Sequence, residues 1–345
     1  MLPEFKQFAD FLSSSHYLVP SDTYLNNKVV PDIKNGLEQE LSGFLSSLTN
    51  AGCTLVFGGW KDVNGSFLLN ILLVSNTFSF FVKSINISDE NKSGYTHYLK
   101  LKEVVDCVGP NLITHIVSNS ATNCLSACSL LIADYPHILF SPCASHTLDL
   151  LIEDMCKLPS FNKIISDCKK VVDFIRNHTI IKTKLEKVAG KTLMRPAATR
   201  FYTQFLMLSR LQDLEPSVKS LISSPTIERL VRDVGEPLMS SFRKVKLIVG
   251  SIEYDFWQLL SPLITYLKPL VGLLKLTDSI EPYFSKMYVK CRQLQEYYFL
   301  NSWEGMTDFE KYSVNGSINN RIFFEAINSN LSCCLLFRSR IRFKI

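Results

Sequence analysis

The hydrophobic period of this chain changes twice, and those changes restrict the folds open to it. Cys53–Phe57, Phe67–Ser75, Phe78–Ile87, Leu112–Val117 and His137–Phe140 are short apolar runs rich in strand formers. Gly58-Gly59 ends the first run, the polar pair Asn76-Thr77 suits a hairpin, and Tyr135-Pro136 leads into the last. Two helices interrupt the series. Ser93 is placed to cap the first, whose apolar positions Tyr98, Leu101, Val105 and Val108 recur three or four apart before Gly109-Pro110 stops it. The second is Cys124–Ala133. The order is β-β-β-α-β-α-β, which predicts a mixed sheet with helices on its faces.

On either side of that block the period is helical. Leu37, Leu41, Phe44 and Leu48 share one helix face within residues 1–50, where Pro20 and Pro31 break the preceding segments. From Thr147 onward, Leu148, Leu151 and Ile152, then Val171, Val172 and Ile175, then Phe205, Leu206 and Leu208 form further apolar faces. Phe256–Leu276 is the most membrane-like stretch, but Pro262, Lys268, Pro269 and Lys275 interrupt it, so a buried helix pair is expected.

With 46% hydrophobic and 20% charged residues, the chain is expected to be globular and soluble. The start, MLPEFKQFAD, does not read as a secretory signal, so the N-x-S/T sequons, such as Asn86-Ile87-Ser88, carry little weight. The ten cysteines form no zinc framework. Cys124 and Cys128 read as small buried residues in a reducing compartment. Charge is more informative. Lys157–Arg200 holds eleven Lys/Arg against Asp167, Asp173 and Glu186, an excess of eight in a chain of net charge +5. Two readings stay open for that stripe, a solvated helix face and a phosphate-binding surface.

A string of motifs in fixed order adds a resemblance. Ala51-Gly52-Cys53-Thr54 leads to Gly59-Trp60-Lys61-Asp62 and Phe67-Leu68-Leu69-Asn70. Phe81-Val82-Lys83-Ser84, Ile116–Asn123 and Ser141–Leu150 follow, then Arg195-Pro196, Thr199-Arg200-Phe201, Asp255-Phe256-Trp257 and Lys268-Pro269-Leu270. Together, over about residues 18–285, these resemble the "domain of unknown function, transposase-like" family of the hAT superfamily of cut-and-paste elements. The strand order is also that of the RNase H fold.

The resemblance implies a catalytic design. In that family an Asp ends the first strand, a second follows the fourth, and a Glu comes from beyond a helical insertion. Together they hold two Mg²⁺ ions that activate water and then the new 3′-hydroxyl. Magnesium needs hard, charged oxygen ligands. Here the first two positions are Gly58 and Asn119, and the third acid is expected past the end of this sequence. An inactive transposase relative, a pseudoenzyme without cofactor, is therefore expected. The alternative is an active Mg²⁺-dependent transposase or nuclease with relocated acids, for which Asp62, Asp149 and Glu153 are the candidates.

Other family-motif positions have two readings each. Cys143 and His146 match a Cys-x-x-His element thought to help position DNA, or are a buried Cys and a hydrogen-bonded His. Trp60 can stack on a base, though a lone Trp beside strands is more often core. Arg195 and Arg200 can clamp phosphates, or pair with acids around a helix capped by Thr199. Lys182, Lys184, Lys187 and Lys191 complete the expected nucleic-acid surface.

The expected layout is a helical segment over 1–50, an RNase H-like core over 51–160, a helical region over 161–300 corresponding to the hAT insertion, and an irregular or truncated tail over 301–345. Neither a zinc-finger module nor a hAT dimerisation region is recognisable. The expected partners are DNA, bound non-specifically, and related transposase-like chains, with no membrane. Nuclear location follows from the resemblance and cytoplasmic location otherwise, because Arg338-Ser339-Arg340-Ile341-Arg342 is too short to serve as an import signal.

Overall fold

The computed structural model describes residues 21–47, 52–75, 79–197, 202–251, 255–278, 284–303 and 305–321. Ala51, Asn76-Thr77, Thr199-Arg200-Phe201 and the 338–342 cluster lie outside them.

Five strands form one sheet in the order β3-β2-β1-β4-β5: β1 (Cys53–Lys61), β2 (Phe67–Val74), β3 (Ser79–Asn86), β4 (Ile113–Ser118) and β5 (Leu139–Pro142). The first three make an antiparallel meander, and β4 and β5 run parallel to β1. This is the RNase H-like arrangement, an α/β mixed sheet, and a helical region follows it. Helix α1 (Val30–Ser47) precedes the sheet. Pro31 cannot donate to the carbonyl of Asn27, and the chain widens into a π turn, Leu25–Val29, just before it. Leu41 and Leu45 of α1 rest on the sheet core, whereas Ile33 and Leu37 are exposed.

Strand alternation places Leu55 and Phe57 of β1 and Leu69, Ile71 and Leu73 of β2 on the buried face. Helices α2 (Gly94–Val108) and α3 (Thr122–Asp134) cover it. Ser93 Oγ accepts the Thr96 N–H as the sequence predicts, and Gly109 ends α2 at φ +100°, a conformation that favours glycine. Leu101, Val104 and Val105 meet Ala127, Cys128 and Leu131 in one apolar cluster that closes at Ile138.

A second cluster begins at Ala144 and runs to Ile318. Helix α4 (Ala144–Lys157) already belongs to it through Leu148, Leu151, Ile152 and Met155. The two cores therefore divide between Ile138 and Ala144, earlier than the boundary at 160 read from the sequence. The helices that follow are α5 (Pro159–Asn177), α6 (Thr179–Ala189), α7 (Tyr202–Asp213), α8 (Glu215–Ile222), α9 (Pro225–Val234), α10 (Glu236–Gly250), α11 (Phe256–Thr277), α12 (Phe284–Leu300) and α13 (Asp308–Ile318).

Two expectations need correction here. The helix pair over 256–276 is one helix, α11, with Pro262 and Pro269 inside it. Seven residues apart, the two prolines lie on one face, and Pro262 is exposed, so the lost hydrogen bonds fall away from the core and the helix continues. Among the described residues α11 alone is long and apolar enough to cross a membrane by length and composition; Leu260, Leu263, Leu267 and Leu270 bury it among the other helices. The expected irregular tail starts later than 301. Thr307 and Glu310 form a capping box on α13, and Trp303, Val314 and Ile318 are buried in the helical core.

Candidate functional site: the strand tips and a basic face

The register aligns Phe57 of β1 with Ser118 of β4, and Ser118 with Pro142 of β5. The next residues, Gly58, Asn119 and Cys143, therefore stand side by side at the C-terminal tip of the parallel pairing among the three strands. Strand β1 itself continues beside β2 to Lys61, so the expectation that Gly58-Gly59 ends the first strand is corrected. In open α/β sheets this end is where ligands bind. The Cys143 N–H donates to the Ser118 carbonyl at 2.7 Å and locks the level of the tips.

The donor set at those tips is neutral. Gly58 contributes only backbone, although a Cβ added there meets nothing within 4 Å. Asn119 turns its Oδ1 toward the Ala121 N–H at 3.4 Å, an Asx turn leading into α3. A two-ion site needs negative oxygens to offset the repulsion between divalent cations. These residues do not fit one.

The nearby acids have other employment. Asp62 Oδ1 accepts the Asn64 and Ser66 N–H groups at 2.9 and 2.7 Å and shapes the β1–β2 turn. Asp149 Oδ1 accepts the N–H of Tyr202, the first residue of α7, at 3.1 Å. Glu153 pairs with Lys157 at 2.6 Å, and Asp154 with Arg321 at 2.6 Å. Among the described residues, no group of three or more His, Cys, Asp or Glu is arranged to hold a metal.

The face of β1 that carries Gly58 also carries Trp60. Pairing sets Asn70 of β2 against Gly58 and Ser84 of β3 against Asn70, so Ser84, Asn70, Gly58 and Asn119 make a polar, uncharged row across four strands. Trp60 borders the row and is 48% exposed. The expectation of a core Trp is thus corrected. Strand parity puts it opposite Leu55 and Phe57, on the outer face at the strand's end.

Cys143 and His146 sit at the start of α4, each partly buried. Ser145 Oγ donates to Thr277 Oγ1 at 3.0 Å and ties this helix start to the end of α11. Sequence reasoning missed a neighbouring pair: Ser141 Oγ lies 2.8 Å from His115 Nε2. Burial pushes His115 down to about 4, so it is neutral near pH 7. Ser141 is itself buried, and the contact joins adjacent strands whose register no local pattern reveals. The interior thiols agree with a packing role, burial pushing Cys53 and Cys124 up to about 11 and Cys128 to about 12.

The basic stripe folds as α5, α6 and the strap to Arg195. Lys184 and Lys187 lie three apart on α6, Lys191 follows just past its end, and none has an ion pair or hydrogen bond among the described residues. Lys182 pairs with Glu186 at 3.7 Å. Arg195 Nε donates to Asp173 at 2.9 Å, and its guanidinium also reaches Asn177. Arg195 thus has an acid partner within the chain. Arg200 lies outside the described residues.

A family model described as a domain of unknown function (DUF659) matches residues 20–171, from before α1 through the whole sheet and most of α5. No curated protein matches the chain.

Proposed function

We propose that this chain is a catalytically inactive, transposase-derived protein of hAT type that binds nucleic acid through its basic helical face. The observation that carries the inactive part is the neutral pair Gly58 and Asn119 at adjacent strand tips, with Asp62, Asp149 and Glu153 engaged in local contacts. The matched family occurs in transposase-like proteins, which supports the lineage.

The nucleic-acid part rests on Lys184, Lys187 and Lys191, which have no ion pair among the described residues and lie in a stretch whose positive excess of eight exceeds the chain's net charge of +5. Phosphates recruit such lysines by releasing counterions, without reading sequence. DNA is the expected partner, with the nucleus as the place to meet it and related transposase-like chains as further partners. Titrating binding to a labelled duplex against salt tests the proposal. Affinity falls steeply with rising salt if it is right, and no binding at low salt refutes it.

A further inference from the structure

Between α11 and α12 runs an open groove of about 540 Å³. Its floor is apolar: Leu273 and Leu294 are buried, and Leu276 and Tyr297 are half-buried. From Pro269 to Leu276 it extends about 10 Å along α11, roughly two helical turns. We infer that this groove is a docking site for an acidic amphipathic helix of a partner protein.

Charge identifies the occupant. Lys290 lines the groove, and Lys286 lies one turn before it on the same stripe of α12. Lys268 and Lys275 stand on the outer flank of α11. Among the described residues none of these four lysines has an ion pair or hydrogen bond, and no acid lines the groove. Elsewhere in the helical region, Lys219, Arg232, Arg243 and Lys246 all pair with glutamates. The groove's lining is thus free of acid and its flanks carry four lysines against Glu296, an apolar trough of net positive charge complementary to leucines below and carboxylates above.

The backbone of α11 fits the same occupant. A Cβ on Gly272 meets nothing within 4 Å, so packing inside this chain does not call for glycine there, and a mid-helix glycine weakens the helix. Its bare backbone lowers the groove wall where another helix would approach. Pro269 cannot donate to the Thr265 carbonyl, which leaves an acceptor on the same stripe. Duplex DNA fits less well, because the apolar floor would strip water from phosphates and return no hydrogen bond.

Fluorescence anisotropy of the full chain against two labelled peptides tests this. One peptide, of about sixteen residues, has leucines at helix-face spacing and glutamates elsewhere; the other replaces the glutamates with lysines. The acidic peptide binds saturably and the basic one does not. Lys286→Glu with Lys290→Glu weakens binding at least about tenfold. Gly272→Leu, which fills the trough without touching charge, weakens it as well. Both sets are exposed, and a melting temperature no lower than that of the unaltered chain shows the fold intact. Equal affinity for the two peptides, or acidic-peptide binding untouched by Gly272→Leu, overturns the inference. So does a groove that the double charge reversal shows to hold duplex DNA and no peptide. Binding of DNA through Lys184, Lys187 and Lys191 is read separately, and its failure leaves this outcome unaffected.

Discussion

Asp149 on α4 accepts the backbone N–H of Tyr202 at 3.1 Å, so an acid that the sequence offers as a metal ligand caps a helix fifty-three residues downstream. Its carboxylate satisfies one of the free donors at the start of α7 and complements the positive end of that helix. Asp149→Ala is expected to cost about 1 kcal/mol in urea unfolding. DNA affinity stays unchanged. A loss of nucleolytic activity on this substitution would make Asp149 a catalytic candidate again.

His115 predicts how stability follows pH. Its folded-state value of about 4 lies below its ordinary 6.5, because burial disfavours the imidazolium. The unfolded chain therefore takes up the proton first as pH falls. The contribution is complete above pH 6.5, declines between 6.5 and 4, and amounts to roughly 3 kcal/mol across that window. Unfolding measured from pH 4 to 7 shows a positive slope there, and His115→Gln flattens it.

Two glycines behave oppositely. A Cβ on Gly94 falls 2.4 Å from Ser126, where α2 and α3 approach closely. Gly94→Ala forces the helices apart and costs about 1–3 kcal/mol. Gly272→Ala meets nothing and gains up to about 1 kcal/mol from helix propensity. Thermal melts of the two variants shift in opposite directions.

The basic face yields a graded prediction. Replacing Lys184, Lys187 and Lys191 with Glu lowers duplex affinity and reduces the salt slope by about one for each phosphate no longer neutralised. Arg195→Ala does much less, because its guanidinium is already engaged by Asp173 and Asn177. Salt-titrated binding of the four variants checks the ranking.

Much of the sheet was legible because its strands are short apolar runs with polar breaks. The outward turn of Trp60 was not legible, because two glycines read as the end of a strand that in fact runs on to Lys61, and strand parity reaches Trp60 only along the longer strand. The allegiance of α4 was not legible. An amphipathic pattern shows that Leu148, Leu151 and Ile152 share a face, and not which core that face meets. The single helix over Pro262 and Pro269 was not legible, because the cost of an internal proline depends on whether its side of the helix faces solvent. The Ser141–His115 contact and the ion pair that occupies Arg195 both require three-dimensional register, which no local spacing carries. The neutral residues Gly58 and Asn119 are legible in the sequence; that they are neighbours follows only from the register of β1 and β4.

Uncharged strand tips cannot hold a pair of divalent ions, and the inactivity proposed for this chain depends on that. Calorimetric titration of Mn²⁺ into the chain and into the Gly58→Asp, Asn119→Asp variant tests it directly, since the space beside Gly58 admits a side chain. Saturable binding is expected only in the variant. Two ions bound by the unaltered chain, and released on Asn119→Ala, would contradict it.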